Sequence, residues 1–334
     1  MLEAIIIAAV KVLAVLVAVL TGCAYATYME RKVLGHLQHR IGPSYAGPYG
    51  LLQPLADAVK LIFKEDVVPA NAERVTYTLA PIASFVPAML TFAVIPFTAD
   101  FELFGRPIQG VISDLNIGIL WVFAVTSLGV YGIVLAGWSS GSKYSLLGGV
   151  RSSAQMISYE ISYGLTIVGV ILIANTLSMR ELVEQQASIA DWFIWKQPLG
   201  FLLYLTCAVA ETNRAPFDLP EAESELVAGF HTEYSSFKFA MFFMAEYINL
   251  MTVSAVTVTL FFGGWLGPGV ETYPILGVVY FSLKVIALLY VFIWMRATLP
   301  RLRYDQLMRF AWKGLLPVAL ANVFVTALWV ALRS

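Results

Sequence analysis

The sequence predicts an all-α integral membrane protein with about eight transmembrane helices, an amphipathic surface helix on the cytoplasmic side, and a structured acidic loop between helices five and six. Three observations support this fold class. The chain is 59% hydrophobic and only 13% charged, with a mean hydropathy of +0.76, which excludes an ordinary soluble domain. Its apolar residues form runs long enough to cross a bilayer. Its acids are concentrated in one segment, residues 211–234.

The apolar runs define the expected spans. A hydrocarbon core about 30 Å thick requires roughly 20 apolar residues in a helix. Eight stretches meet or approach this length, at about 4–27, 77–97, 116–138, 156–176, 199–211, 239–262, 276–295 and 314–332. The first is long and has no basic segment before it, so we expect a retained helix and not a signal peptide. With no internal repeat or low-complexity linker, one membrane domain over residues 1–334 is the simplest organisation.

The first cytoplasmic loop, residues 30–74, contains a segment that is amphipathic but too polar to span. In residues 54–64, Leu55, Val59 and Ile62 recur at helical spacing, and Asp57 falls on the other side. We expect a helix that lies along the membrane surface. A surface helix packed on a partner protein fits the pattern equally well.

Loop charges predict the orientation. Segments 30–74, 139–155, 212–238 and 296–313 hold 15 of the 21 Lys and Arg residues. Because basic loops remain in the cytoplasm, both termini are expected on the periplasmic side.

Four ionisable residues fall within or at the ends of spans. They are Glu160 in the fourth, Glu211 at the end of the fifth, Glu246 in the sixth and Lys284 in the seventh. Such residues cost roughly 2.5–3.5 kcal/mol each on insertion. Neighbouring carboxylates in a low dielectric resist ionising together, so a row of them can share and pass protons, and a buried Lys can bias that row. The structural alternative is a helix–helix ion pair, for example between Glu246 and Lys284.

The acidic loop, 211–238, is the most concentrated feature of the chain. Residues 211–234 hold six carboxylates against Arg214 alone, at Glu211, Asp218, Glu221, Glu223, Glu225 and Glu233. Pro216 and Pro220 favour a fixed, non-helical path. The acids would then line a cavity or contact a partner, unless they form a solvated acidic face.

Sites of other kinds are not expected in this chain. All three histidines lie in loops, which disfavours haem, and Cys23 and Cys207 lie in apolar runs as packing residues. No phosphate-binding or dinucleotide-binding loop is present. The formal net charge of −1 gives no attraction to nucleic acid. We therefore expect no metal site, no bound cofactor and no complete active site in this chain alone.

Five motifs occur together and in order: ERKVLG at 30–35, GPYGLLQPLADAVK at 47–60, SSGSKYSLLG at 139–148, ETNRAPFD at 211–218 and RYDQLM at 303–308. Together they resemble the H-subunit family of bacterial NADH:quinone oxidoreductase, respiratory complex I, whose mitochondrial counterpart is NADH dehydrogenase subunit 1. The resemblance runs from about residue 25 to 320.

This resemblance implies a subunit of the bacterial inner membrane that joins the membrane arm to a peripheral arm. Quinone is the substrate, and FMN and iron–sulfur clusters are bound by partner subunits. The implied partners are the peripheral-arm subunits that carry the terminal cluster and the quinone head site, small membrane-arm subunits, antiporter-like subunits reached by relay, and lipids. The subunit would form much of the quinone-access chamber and an acidic funnel that couples quinone reduction to proton translocation.

The resemblance also implies residue roles. The chamber wall would include Arg31, Arg40, Asp57, Arg214, Phe230 and Arg296. The funnel would contain Glu160, Glu211, Glu223, Glu225 and Glu246, with Asp218, Glu221 and Glu233 acting from the loop. One feature departs from some relatives, because the third span contains no carboxylate. The route from the funnel must then use water, Tyr131 or an acid of a neighbouring subunit.

Two alternatives remain at this point. A ferredoxin-linked or hydrogenase-linked relative would use a related subunit without quinone. A stand-alone proton-coupled transporter would also contain buried carboxylates. The missing inverted repeat and the large charged cytoplasmic loops disfavour the transporter.

Overall fold

A computed structural model describes residues 2–103, 106–218 and 227–333. Within these residues the predicted all-α membrane fold is confirmed. Seven of the described helices are long and apolar enough to cross a membrane, or up to eight if one bent pair of helices is a single span. A small antiparallel hairpin of β1 (Phe101–Leu103) and β2 (Arg106–Ile108) pairs Phe101 with Ile108 beside this helical bundle.

In chain order the helices are α1 (Leu2–Leu37), α2 (Gln53–Phe63), α3 (Arg74–Leu90), α4 (Gly118–Ser139), α5 (Lys143–Ala174), α6 (Met179–Glu184), α7 (Phe193–Lys196), α8 (Pro198–Glu211), α9 (Ser236–Phe261), α10 (Ile275–Thr298), α11 (Tyr304–Arg309) and α12 (Leu316–Ala331). A π-helical turn, Phe310–Leu315, joins α11 to α12 in one continuous span. The largest core cluster includes fully buried side chains of α5, α8 and α9, among them Tyr159, Tyr204 and Ile248.

Several helices extend beyond the predicted spans. α1 continues ten residues past the expected end at residue 27, and α5 begins at Lys143, inside the expected loop 139–155. The 36 residues of α1 give a length of about 54 Å, well beyond the hydrocarbon thickness. An apolar run marks only the part of a helix that lies in lipid, so the length of the run underestimates the length of the helix. As a result, Glu30 lies on a helix and not in a loop.

The fifth span is short, as predicted. α8 has 14 residues, about 21 Å, and it ends at Glu211. The segment 189–196 before it is bent by 71° from α8. α8 is therefore too short to cross the hydrocarbon core by itself, and protein surrounds the end of Glu211, whose Oε2 is buried.

The four basic segments meet at one end of the bundle, which we call the basic end. Hydrogen bonds join them pairwise, from Glu73 N–H to the Ser139 carbonyl at 3.0 Å, from Val67 N–H to Ser235 Oγ at 2.8 Å, and from Leu302 N–H to the Pro216 carbonyl at 3.0 Å. This arrangement agrees with the predicted alternation of loops across the membrane.

The predicted surface helix forms as α2, one residue earlier than expected, and packs against α1 and α9. Its apolar face is uncovered, because Leu55, Ile62 and Phe63 are 63%, 59% and 84% exposed. An uncovered apolar face of this kind fits both expected settings, the membrane surface and a partner protein.

Candidate functional site

Charged side chains from four parts of the chain meet at the basic end. Arg214 Nη1 donates to Glu30 Oε2 at 2.5 Å, and Arg214 Nε donates to Glu246 Oε1 at 2.8 Å. Arg296 Nη1 contacts the second oxygen of Glu30. The Tyr247 hydroxyl donates to Glu30 at 2.9 Å, and its ring lies 4.4 Å from the Arg214 guanidinium. We call these five residues the ion cluster.

The ion cluster is buried but balanced in charge. The side chains of Arg214 and Glu30 are only 3% and 5% exposed. Burial on its own lowers the pKa of Arg214, but Glu246 and Glu30 outweigh it and raise the pKa above its usual value, so the guanidinium stays charged. Two arginines face two carboxylates, which is the condition under which buried charges are tolerated.

A glutamine of α5 holds the segment that carries Arg214. Gln155 is fully buried, and its Nε2 donates to the carbonyls of Ala210 at 3.0 Å and Phe217 at 2.9 Å. Asn213 Nδ2 donates to Ser152 Oγ, also on α5, at 3.1 Å. The chain after α8 is thereby fixed on both sides of Arg214, which keeps the guanidinium between its two carboxylates.

A small cavity, which we call the acidic cavity, lies beside the ion cluster. Its volume is about 50 Å³, and Glu246, Glu211, Phe230 and His231 are among its lining residues. A cavity of this size holds a few water molecules. Glu211 Oε2 is buried and has no hydrogen-bond partner among the described residues. An unpaired buried oxygen destabilises a fold, so Glu211 is a strong candidate for a functional carboxylate.

A third carboxylate continues this path into the membrane. Glu160 of α5 lies close enough to Glu211 for their charges to interact. Ser127 Oγ of α4 donates a hydrogen bond to Glu160. Tyr131, in contrast, is 65% exposed. The side chain of the third span that reaches the path is therefore Ser127, for which no sequence signal exists.

An apolar slot lies between α1, α9 and α10. It has a volume of about 450 Å³, and α1, α9 and α10 contribute most of its lining. On α1 it reaches from Met29, the neighbour of Glu30, to Ala18, a distance of about 16 Å. Its lining is almost entirely aliphatic and aromatic, so it suits a long hydrocarbon chain.

The predicted chamber residues fall into three groups. Arg214 and Arg296 are in the ion cluster, and Phe230 is buried at the acidic cavity. The remaining ones lie nearer the surface. Arg31 on α1 bonds Asp57 on α2 at 2.6 Å with a side chain that is 51% exposed, and the exposed Arg40 bonds Gln38 at 2.8 Å.

The loop acids are similarly divided. Asp218 bonds Arg301 at 3.0 Å, and burial raises its pKa although Arg301 opposes the shift. Glu233 has a half-buried side chain, and its backbone carbonyl accepts a hydrogen bond from Tyr77 at 2.7 Å. Glu221, Glu223 and Glu225 lie outside the described residues.

The alternative ion pair between Glu246 and Lys284 does not form. Lys284 Nζ donates to three backbone carbonyls, of Phe262 at 2.8 Å, Gly264 at 3.0 Å and Leu266 at 2.9 Å. It thereby satisfies carbonyls at the end of α9. Glu246 lies 16 residues earlier on the same helix, about 24 Å away, so the two side chains cannot meet.

Sequence reasoning missed Glu30, Tyr247 and His231. Glu30 is present in the first motif, but the apolar run ends before it, so the sequence predicts a loop position. Tyr247 directly follows Glu246 in the sequence. Its position next to a carboxylate within a predicted span is the signal that could have identified it. The sequence gives His231 only a loop position, which disfavours haem and indicates no other role. Among the described residues, no group of three or more His, Cys, Asp or Glu is placed to hold a metal ion.

A close backbone contact positions the turn that carries Phe230 and His231. A Cβ added to Gly148 of α5 would lie 2.6 Å from Gly229 Cα and 2.8 Å from Phe230 N. We expect Gly148→Ala to displace this turn and destabilise the protein by about 1–3 kcal/mol, measured as a lower Tm of the purified protein. Gly164→Ala is the matched control, since an added Cβ on the same helix would meet no described atom within 4 Å. Equal melting of the two variants would contradict the contact.

Comparisons with known proteins give a consistent result. The family model of NADH dehydrogenase matches residues 10–327. H subunit 1 of the NADH-quinone oxidoreductase of Geobacter sulfurreducens is 55% identical, over 97% of this chain and 95% of that relative. H subunit 2 of the same enzyme in Geobacter metallireducens is also 55% identical, with 96% and 95% coverage. The H subunit of the NADH-quinone oxidoreductase of Thermomicrobium roseum is 52% identical, with 94% and 93% coverage.

Proposed function

The chain belongs to the NADH dehydrogenase family, and we propose that it couples quinone reduction to proton translocation within an NADH:quinone oxidoreductase. It is a multi-pass membrane subunit of such a complex, with other subunits of the complex as its partners. We further propose a bacterial inner-membrane location with both termini on the periplasmic side, and partner subunits that carry FMN and the iron–sulfur clusters.

The apolar slot and the ion cluster support a quinone-access chamber. The slot offers about 450 Å³ of apolar space for an isoprenoid tail. The ion cluster, whose Glu30 directly follows Met29 of the slot, offers polar groups for the more polar quinone ring. Arg31 on α1, Asp57 on α2 and Arg40 between these helices would contribute to the wall where partner subunits dock.

The observation that carries the coupling proposal is the position of Glu246. It is bonded to Arg214 in the ion cluster, and it also lines the acidic cavity with Glu211. Glu211 in turn lies within electrostatic range of Glu160. One carboxylate therefore connects the proposed chamber to a row of acids that leads across the bundle.

The chemistry of quinone reduction explains how this connection would act. Reduction to quinol takes two electrons and two protons, so negative charge develops before the protons arrive. That charge competes with Glu30 and Glu246 for Arg214 and Arg296. Release of Glu246 from Arg214 removes the partner that favours its anion, and a proton moves onto it from the acidic cavity. Glu211 and Glu160 then change protonation in turn, which transmits the change of charge toward the antiporter-like subunits.

The names of the relatives favour quinone over the ferredoxin-linked or hydrogenase-linked alternative, because each is described as an NADH-quinone oxidoreductase subunit. The same names favour a complex over a stand-alone transporter. Sensitivity of NADH oxidation to quinone-site inhibitors in native membranes tests the first distinction, and the set of chains that co-purify in mild detergent tests the second.

Glu211→Gln is the direct test of coupling. The amide keeps the shape of the side chain but cannot release a proton, so proton uptake per NADH oxidised should fall by about tenfold or more. The measurement is vesicle acidification against NADH oxidation in inverted membranes. Glu184→Gln is the control, because Glu184 is 53% exposed and bonds Arg180 in α6. A fully assembled Glu211→Gln complex with wild-type proton uptake would overturn the coupling role.

A further inference from the structure

His231 occupies a distinctive position that the proposed function leaves unused. It is only 7% exposed and lines the acidic cavity together with Glu211 and Glu246. Its ring packs on three phenylalanines, with centroids 5.0 Å from Phe230, 5.5 Å from Phe239 and 6.1 Å from Phe243. Those rings cannot satisfy the imidazole nitrogens, so the polar surroundings of His231 are provided by the cavity.

The other elements around the cavity contribute few groups that could exchange protons. α3, α4 and α5 contribute Ser84, Gly129, Ile133 and Met156, none of which is charged. Among the described lining residues, the titratable partners of His231 are Glu211 at the end of α8 and Glu246 on α9. Arg214 lies beyond Glu246, to which it is bonded.

We propose that His231 is a proton-relay residue between Glu211 and Glu246, a role that rests on the proposed function. One ring nitrogen accepts the proton of the Glu211 carboxylic acid as the N–H of the other nitrogen gives its proton to the Glu246 carboxylate. One O–H and one N–H bond break, and one N–H and one O–H bond form. Glu211 becomes anionic, Glu246 becomes neutral, and the imidazole ends as its other neutral tautomer.

The imidazole ring is suited to this step. Neutral histidine presents one donor nitrogen and one acceptor nitrogen, which point in different directions from a single rigid ring. Burial lowers the pKa of His231 to about 4, so the ring is neutral at physiological pH. A neutral relay moves a proton without leaving a lasting charge among the three phenylalanines. Few waters fit in about 50 Å³, so a fixed group in the path has a larger effect than in an open channel.

Two substitutions separate proton transfer from packing. His231→Phe keeps an aromatic ring against the three phenylalanines but has no ring nitrogen. His231→Gln keeps hydrogen-bonding groups but does not exchange tautomers. We expect both variants, in the intact complex in inverted membranes, to lower proton uptake per NADH oxidised by about tenfold or more. The solvent deuterium isotope effect on coupled turnover should rise in both, which loss of packing alone would not produce.

The exposed His36, replaced by Asn, serves as the histidine control.

The outcomes distinguish the relay from the proposed function. Wild-type proton uptake in either assembled variant overturns the relay, and if His231→Phe fails to assemble, His231→Gln decides. Glu211→Gln is measured alongside. If Glu211→Gln loses proton uptake and the His231 variants do not, the relay is wrong and the coupling proposal stands. If all three keep wild-type uptake, the coupling proposal is wrong and the relay falls with it.

Discussion

Replacing Arg214 with leucine is expected to abolish quinone reduction and to destabilise the protein by about 3–5 kcal/mol, because it leaves buried carboxylates without their partner. Arg214 is bonded to both Glu30 and Glu246, and its own side chain is 3% exposed. In its absence Arg296 alone would face two carboxylates. The readouts are the Tm of the purified complex and the NADH:quinone reductase rate in membranes.

Two further variants interpret that result. Arg214→Lys keeps the positive charge but cannot reproduce the forked donation to two carboxylates, so an intermediate loss is expected. Arg303→Leu is the control, because its side chain is 80% exposed and lies 3.6 Å from Asp305. An exposed pair of this kind contributes about 0–1 kcal/mol. An Arg214→Leu complex with wild-type Tm and rate would show that the ion cluster has no role in either property.

The membrane fold could be predicted from the sequence because a segment that crosses lipid must be apolar and must satisfy its backbone hydrogen bonds within itself. About 20 apolar residues in succession have few alternatives to a spanning helix. The short fifth span was recognised in the same way, since its apolar run stops at Glu211. Loop charge then predicted which connections share an end of the bundle, and the hydrogen bonds between those connections agree.

The site was only partly predictable because its contacts are long-range. Glu211, Glu246 and Arg214 stood out as charges in or beside apolar runs. Glu30 did not, because the polar end of α1 has a composition like that of a loop, so the sequence does not show that the helix continues there. Ser127 meets Glu160 only because α4 and α5 pack side by side, and a single serine in an apolar helix gives no periodic signal.

Lys284 shows the same limit. Its position in an apolar run predicted a buried Lys that biases a row of carboxylates, with an ion pair to Glu246 as the structural alternative. The structure gives it three backbone carbonyls at the far end of α9. Sequence position along a helix fixes depth in the membrane but not which neighbour lies beside it.

Glu30→Gln is expected to lower the NADH:quinone reductase rate by at least about tenfold while the complex still assembles. Glu30 lies between Arg214 and Arg296, and its carboxylate is the anion that both guanidinium groups share. The amide can still accept hydrogen bonds, so packing is kept, but the buried Arg214 and the partly exposed Arg296 then repel each other across a neutral group. Two unit charges about 4 Å apart repel each other by about 4 kcal/mol at an effective dielectric constant of 20, and solvent at Arg296 reduces this value. The two guanidinium groups proposed to face the quinone ring then move apart, which lowers the rate.

An electron acceptor that is reduced in the peripheral arm provides the internal control, because its rate should be unchanged when only the chamber is altered. Glu30→Asp separates charge from reach. It keeps the anion but shortens the side chain by one methylene, so it should hold one arginine and lose the other, with a rate between those of wild type and Glu30→Gln. If Glu30→Gln reduces quinone at the wild-type rate, the shared carboxylate does not organise the two arginines, and the ion cluster must be explained as a purely structural tie between α1 and α10.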